Sequence, residues 1–154
     1  MDNTTNRDLE QMVRSAVDNA SITDVHTHLF SPQFGDLLLW GIDDLLTYHY
    51  LIAETFRYLD LPYDAFWSMT KQEQADLVWK TLFVENSPIS EACRGVLTVL
   101  SKLGLDVEAR DLSAYREFFR SKTAEEYVDT CFKLARIDYV VMTNDPFDDA
   151  ERSI

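Results

Sequence analysis

Three histidines, His26, His28 and His49, are the only ones in the chain, and they fall within 24 residues. His26 and His28 form His-x-His inside Ile22-Thr23-Asp24-Val25-His26-Thr27-His28-Leu29, whose alternating β-branched residues suit a short strand. Side chains two apart on a strand share a face, so both imidazoles would point the same way. Neutral imidazole is the commonest ligand for zinc-like metals, and two at one strand end can share an ion. Two strand histidines hydrogen-bonded to neighbours fit the same spacing, and the pair alone does not choose. Asp24 shares their parity and can orient a ligand or, equally, cap a helix. His49 falls on an apolar helical stripe, which reads as a satisfied core histidine. Tyr48-His49-Tyr50 sets three amphipathic rings in a row, and a helix cannot turn all of them inward. Arg57 reads first as a surface arginine near a helix C-terminus.

These side chains need elements to hold them. Residues 7 to 19 place Leu9, Met12, Val13, Ala16 and Val17 on one helical stripe ahead of the first strand. Phe30-Ser31-Pro32-Gln33-Phe34-Gly35 breaks that strand with loop chemistry. From Gly41 one long helix is expected, with Asp43 and Asp44 at its positive end. Thr70 with Glu73, and Thr123 with Glu126, have the form of capping boxes opening later helices. Ser87-Pro88 reads as an N-cap and first turn of a helix that stops at Gly104, and another helix fits residues 113 to 121. Asp138-Tyr139-Val140-Val141-Met142-Thr143 reads as a second strand buried on both faces, as in a parallel sheet, and Asn144-Asp145-Pro146 ends it. Asp148 to Ile154 opens a further helix. Phe66, Trp67, Trp79, Phe83, Tyr115, Phe118 and Phe119 sit at helical spacing and read as core, not as a sugar platform.

Composition narrows the class. The chain has 154 residues, 46% apolar and 12% aromatic, which suits a folded domain. Its net charge of −13 and the lack of any Lys/Arg-rich window argue against nucleic acid and anionic membranes. No stretch approaches the ~20 apolar residues of a bilayer span. The polar, acidic N-terminus is no signal peptide, so a cytoplasmic location is expected. Cys93 and Cys131 lie far apart and read as buried thiols in a reducing compartment.

Three segments resemble one family. Asp24-Val25-His26-Thr27-His28-Leu29 resembles the first strand of the amidohydrolase superfamily. Trp40-Gly41-Ile42-Asp43-Asp44-Leu45-Leu46-Thr47-Tyr48-His49-Tyr50-Leu51-Ile52-Ala53-Glu54 is more specific and is similar to the uronate isomerases. Met142-Thr143-Asn144-Asp145-Pro146-Phe147-Asp148 is similar to the Thr-x-Asp-Pro segment of that family. The resemblance implies an α/β fold, the N-terminal portion of a distorted (β/α)8 TIM barrel. It would comprise the first two strands with a large helical insertion between them. Residues 1–30 would be helix and strand one, 41–136 the insertion, and 137–154 strand two and the start of the next helix. It implies interconversion of D-glucuronate with D-fructuronate, and of D-galacturonate with D-tagaturonate, by proton transfer between C2 and C1. His26 and His28 would ligate a divalent metal, zinc in the first instance. His49 and Tyr50 would lie in the sugar site, with Tyr50 as proton carrier or hydrogen-bond donor. Thr143 and Asp145 would line that site, Arg57 is near enough in sequence to meet the carboxylate of the substrate, a small sugar acid, and the full-length protein could be a homo-oligomer.

A complete barrel needs about 250 residues, and two strands more than a hundred residues apart do not close one. The expectation is therefore an N-terminal piece that lacks the family's strand-eight aspartate and arginine and is inactive alone. Two other classes remain open. One is a metal-dependent amidohydrolase-type hydrolase or deaminase, which shares His-x-His. The other is a non-catalytic helical interaction module.

Overall fold

The computed structural model describes residues 3–27, 38–143, 145, 147–149 and 152. Helix α1 (Asn3–Asp18) leads into strand β1 (Ile22–Asp24). Helices α2 (Ile42–Leu46), α3 (His49–Thr55), α4 (Tyr63–Trp67), α5 (Lys71–Trp79), α6 (Glu91–Lys102), α7 (Ser113–Arg120) and α8 (Ala124–Ala135) follow, and strand β2 (Ile137–Val140) pairs back. The two strands are parallel, with Ile22 opposite Ile137, Thr23 opposite Tyr139 and Asp24 opposite Val140. This is the expected helical insertion between two parallel strands.

The core belongs to the insertion. Ile42 and Leu46 of α2, Val78 and Trp79 of α5, Val96 and Leu100 of α6, and Tyr115 and Phe119 of α7 form one buried cluster. Removing such side chains from water supplies roughly 1.5–3 kcal/mol each, which is what holds these short helices in place. Trp79 stacks on Phe83 and meets Tyr115 edge-on. Phe66 is fully buried, but Trp67 beside it is exposed, so the aromatic set is core only in part.

Polar contacts fix the geometry around that core. Both capping boxes form: Glu73 N–H donates to the Thr70 hydroxyl and the Glu73 carboxylate accepts from Thr70 N–H, and Thr123 and Glu126 repeat the pattern. Arg116 of α7 donates to both carboxylate oxygens of Asp43 at the start of α2 and pairs with Asp76 of α5. Its guanidinium thus ties three helices. Between α5 and α6, residues Lys80–Val84 widen into a π-turn.

Several expectations change. The long helix from Gly41 is two helices, because Thr47 and Tyr48 break it. Thr47 Oγ1 bonds back to Asp43 O at 2.8 Å, and Tyr48 is extended, with ψ 141°. The helix expected at Ser87-Pro88 starts at Glu91 with Ser90 as N-cap, and Ile89 N–H turns back onto Ser87 O. It ends as expected, with Gly104 in the left-handed region at φ +76°. Strand β2 is not buried on both faces: Tyr139 is 70% exposed. The apolar stripe of α1 (Leu9, Met12, Val13, Val17) is likewise exposed. Helix α8 ends at Arg136, a non-glycine residue at φ 54°, whose carbonyl accepts from Ile22 N–H at 3.1 Å. The helix expected over Asp148 to Ile154 falls mostly outside the described residues.

Candidate functional site

The strand ends come first. β1 stops at Asp24, so His26 lies two residues past it, not on the ladder. Sequence spacing extends this strand too far because Asp24 turns on its own main chain. Its carboxylate accepts His26 N–H at 3.0 Å, the Asx pattern that competes with strand pairing. Asp24 therefore holds the His26 backbone. Past the ladder, Val141 N–H donates to Asp24 O at 2.7 Å, and the Thr143 hydroxyl donates to Thr27 O at 2.8 Å. Thr143 thus pins the residue between the two histidines to the end of the second strand. Asp145 accepts Phe147 N–H at 2.8 Å and shapes the turn that follows. His28 lies outside the described residues.

Helix α3 carries the second set. Its N-cap is Tyr48, and its first two residues are His49 and Tyr50. The His49 ring sits 4.2 Å from Tyr48 and 4.1 Å from Tyr50, centroid to centroid. Leu51, Ile52 and Thr55 are buried, whereas His49 and Tyr50 face outward, Tyr50 being 61% exposed. The core reading of His49 is therefore wrong. The break at Thr47–Tyr48 resets the helical phase, and a stripe counted from Ile42 puts His49 on the wrong side. Burial and the neighbouring Tyr50 push the Tyr48 phenol above its ordinary value, so Tyr48 stays neutral across the physiological range.

Two turns on from Tyr50, Arg57 lines the same groove, about 630 Å³ in volume, with Glu54 of α3 and Ser90 and Glu91 at the start of α6. The Ser90 hydroxyl donates to Glu54 Oε2 at 2.6 Å and also accepts Cys93 N–H at 3.1 Å. Burial pushes the Cys93 thiol up, so it remains protonated beside that carboxylate. Sequence reasoning put Tyr50 and Arg57 forward but missed Glu54 and Ser90. The available signal was Ser90-Glu91, a capping residue followed by an acid in the first turn.

The groove offers a phenol, a guanidinium and two carboxylates, with the His49 imidazole beside the phenol, a set suited to a polyhydroxylated anion. It does not by itself suit a metal. Among the described residues, no three His, Cys, Asp or Glu side chains converge as a metal site requires. No described helix is long and apolar enough to cross a membrane.

No family model matches the chain, and no curated protein matches it. Its structure is similar to the crystal structure of a uronate isomerase from Bacillus halodurans C-125, with a TM-score of 0.90 and 60% identity over 96% of this chain. The chain spans 35% of the length of that protein.

Proposed function

We propose that this chain, which belongs to the uronate isomerase family, supplies the Tyr50 side of an aldose–ketose isomerase site. The observation that carries the reading is the 0.90 TM-score at 60% identity, which extends over almost the whole chain. The substrates are hexuronates: D-glucuronate going to D-fructuronate, and D-galacturonate to D-tagaturonate. The reaction moves a proton between C2 and C1 and needs an acid–base group within hydrogen-bond reach. Tyr50 is that group, holding or delivering the proton at its phenol oxygen, with the His49 ring 4.1 Å away positioning it. Arg57 lines the same groove. Thr143, through its bond to Thr27 O, and Asp145, through its turn, shape the mouth of the strand pair.

His26 and His28 are proposed as two ligands of a divalent ion, zinc in the first instance. The described donors alone do not complete a site for it. The 154-residue chain alone is expected to bind metal weakly and to turn over no uronate. The same reading puts the protein in the cytoplasm, with a small sugar acid as partner and neither nucleic acid nor membrane.

The test is a chimera in which this chain replaces the corresponding segment of the Bacillus protein. D-glucuronate turnover by the chimera is expected, and Tyr50→Phe should cut it by at least about a hundredfold, the usual scale for a lost acid–base group. An unchanged rate in Tyr50→Phe removes that residue from the chemistry. Ester hydrolysis without uronate turnover replaces the isomerase reading by a hydrolase.

A further inference from the structure

Helix α2 is five residues long, far below the ~12–15 residues at which a helix persists in water by itself. It is held from outside. Ile42 and Leu46 are buried in the core of the insertion. Asp43, in its first turn, is gripped by Arg116 of α7: Nε donates to the two carboxylate oxygens at 3.0 and 3.2 Å, and Nη2 donates to Oδ1 at 2.7 Å. Both side chains are largely removed from water, at 21% and 19% exposure, and a forked pair of this kind fixes direction as well as distance. Asp43 also ends the helix. Its carbonyl accepts Thr47 N–H at 3.0 Å and Thr47 Oγ1 at 2.8 Å. Asp43 thus receives Arg116 on its side chain and Thr47 on its main chain. Thr47 and Tyr48 alone separate α2 from α3. Tyr48 is extended, and its carbonyl accepts Leu51 N–H and Ile52 N–H to open α3 at His49 and Tyr50. Arg116 itself lines a separate pocket with Trp40 and Gln72, whereas Tyr50 lines the groove between α3 and α6.

We propose that Arg116 is a positioning residue for His49 and Tyr50. Through the Asp43 carboxylate it fixes the end of α2 at Thr47, and with it the point and direction from which α3 presents the imidazole and the phenol. Arg116 acts through Asp43 and Thr47, from a helix that begins more than sixty residues downstream of His49. The effect on turnover rests on the isomerase reading of Tyr50, while the effect on the His49 ring does not. A misplacement of about 1 Å at a reacting group costs about a hundredfold in rate, even when the substitution is far from the chemistry. Loss of the grip should therefore act on kcat more than on KM. Glu54 and Ser90, which line the rest of the groove, are held by their own bond at 2.6 Å and keep their places.

The experiment reads the His49 ring protons of the 154-residue chain by NMR, and D-glucuronate turnover in the chimera with the Bacillus protein, for the same four variants. The ring signals report the packing of His49 against Tyr48 and Tyr50, 4.2 and 4.1 Å away between centroids. Arg116→Gln removes the grip. Arg116→Lys keeps the charge without the fork. Thr47→Val keeps the grip and removes the hydroxyl bond to Asp43 O. Tyr115→Phe is the control on the same helix, because its hydroxyl donates to Asp106 O and not to α2. Arg116→Gln should move the His49 signals most, Arg116→Lys and Thr47→Val should move them less, and Tyr115→Phe should leave them in place. In the chimera, Arg116→Gln should lower kcat at least about tenfold while KM stays within about threefold. If Arg116→Gln does not fold, Arg116→Lys and Thr47→Val carry the test. Unmoved His49 signals in Thr47→Val and in the Arg116 variants that fold, or equal movement in Tyr115→Phe, overturn the proposal. The two readings fail separately. Movement of His49 with no turnover in the chimera keeps the positioning role and sinks the isomerase. Turnover with kcat unchanged by the Arg116 variants does the reverse.

Discussion

The helical insertion and the strand pair share one chain but solve burial differently. In the insertion, Leu46, Phe66, Val78 and Leu100 are fully buried, and every helix from α2 to α7 contributes to the buried interior. In α1, β1 and β2 the apolar side chains have the same periodicity or propensity and yet none that is described is buried: Ile137 and Val140 are half-buried, Met12 is 68% exposed and Tyr139 is 70%. Periodicity reports which face of an element is apolar, not what covers it. The insertion closes on itself within about eighty residues of local helix packing, whereas the strand pair holds through backbone bonds and a few side-chain staples.

The sharpest way to test that contrast is to cut each region equally. Leu46→Ala should cost about 2–5 kcal/mol, because a fully buried leucine leaves a cavity. Leu9→Ala on α1, at 56% exposure, should fall within about 0.5 kcal/mol. Urea unfolding followed by tryptophan fluorescence measures both, and equal costs would erase the distinction.

The capping boxes sharpen it further, since their chemistry is identical. Thr70→Ala should lower global stability by about 1 kcal/mol, because α5 buries Gln74, Ala75, Val78 and Trp79. Thr123→Ala should mainly raise local hydrogen exchange in α8, which has no fully buried residue. A global loss from Thr123→Ala equal to that from Thr70→Ala would place α8 in the cooperative core.

The smallest effect is a pH dependence. Burial holds the Tyr127 phenol far above its ordinary value, where its ring meets Trp40 at 5.2 Å and Phe119 at 5.4 Å. A folded-state pKa raised above the unfolded value gives stability that is complete below about pH 10 and is lost as pH rises beyond it. The attachment of α8 to the insertion should therefore loosen in alkali above about pH 10, and Tyr127→Phe should flatten that slope in pH-dependent hydrogen exchange.

What was legible in the sequence was local. Thr70 with Glu73 and Thr123 with Glu126 announce their helices because a cap is a rule over four residues, and Gly104 marks its stop for the same reason. The parallel pairing of the two apolar segments was legible as well. The two sides of α3 were not. Thr47 bonding back to Asp43 ends one helix and Tyr48 starts another, so the phase of His49 could not be counted from upstream. Ser87-Pro88 outbid Ser90 as a cap by pattern, although the Ser90 hydroxyl is the one that accepts Cys93 N–H. For the site, Tyr50 and Arg57 were visible as residue types. Their shared groove depends on α6 packing across α3, a contact between segments more than thirty residues apart.

Arg136 joins these two worlds by a single torsion. Its left-handed backbone ends α8 and in the same stroke aims a carbonyl at Ile22, making the first rung between the strands. A side chain there carries a penalty of roughly 1 kcal/mol that glycine would avoid. Were that torsion to relax into the ordinary right-handed basin, the helix would run on by a residue and the rung would vanish together with it. Helix end and sheet start are thus one switchable event, and the alignment of the segment carrying His26 is inherited from it.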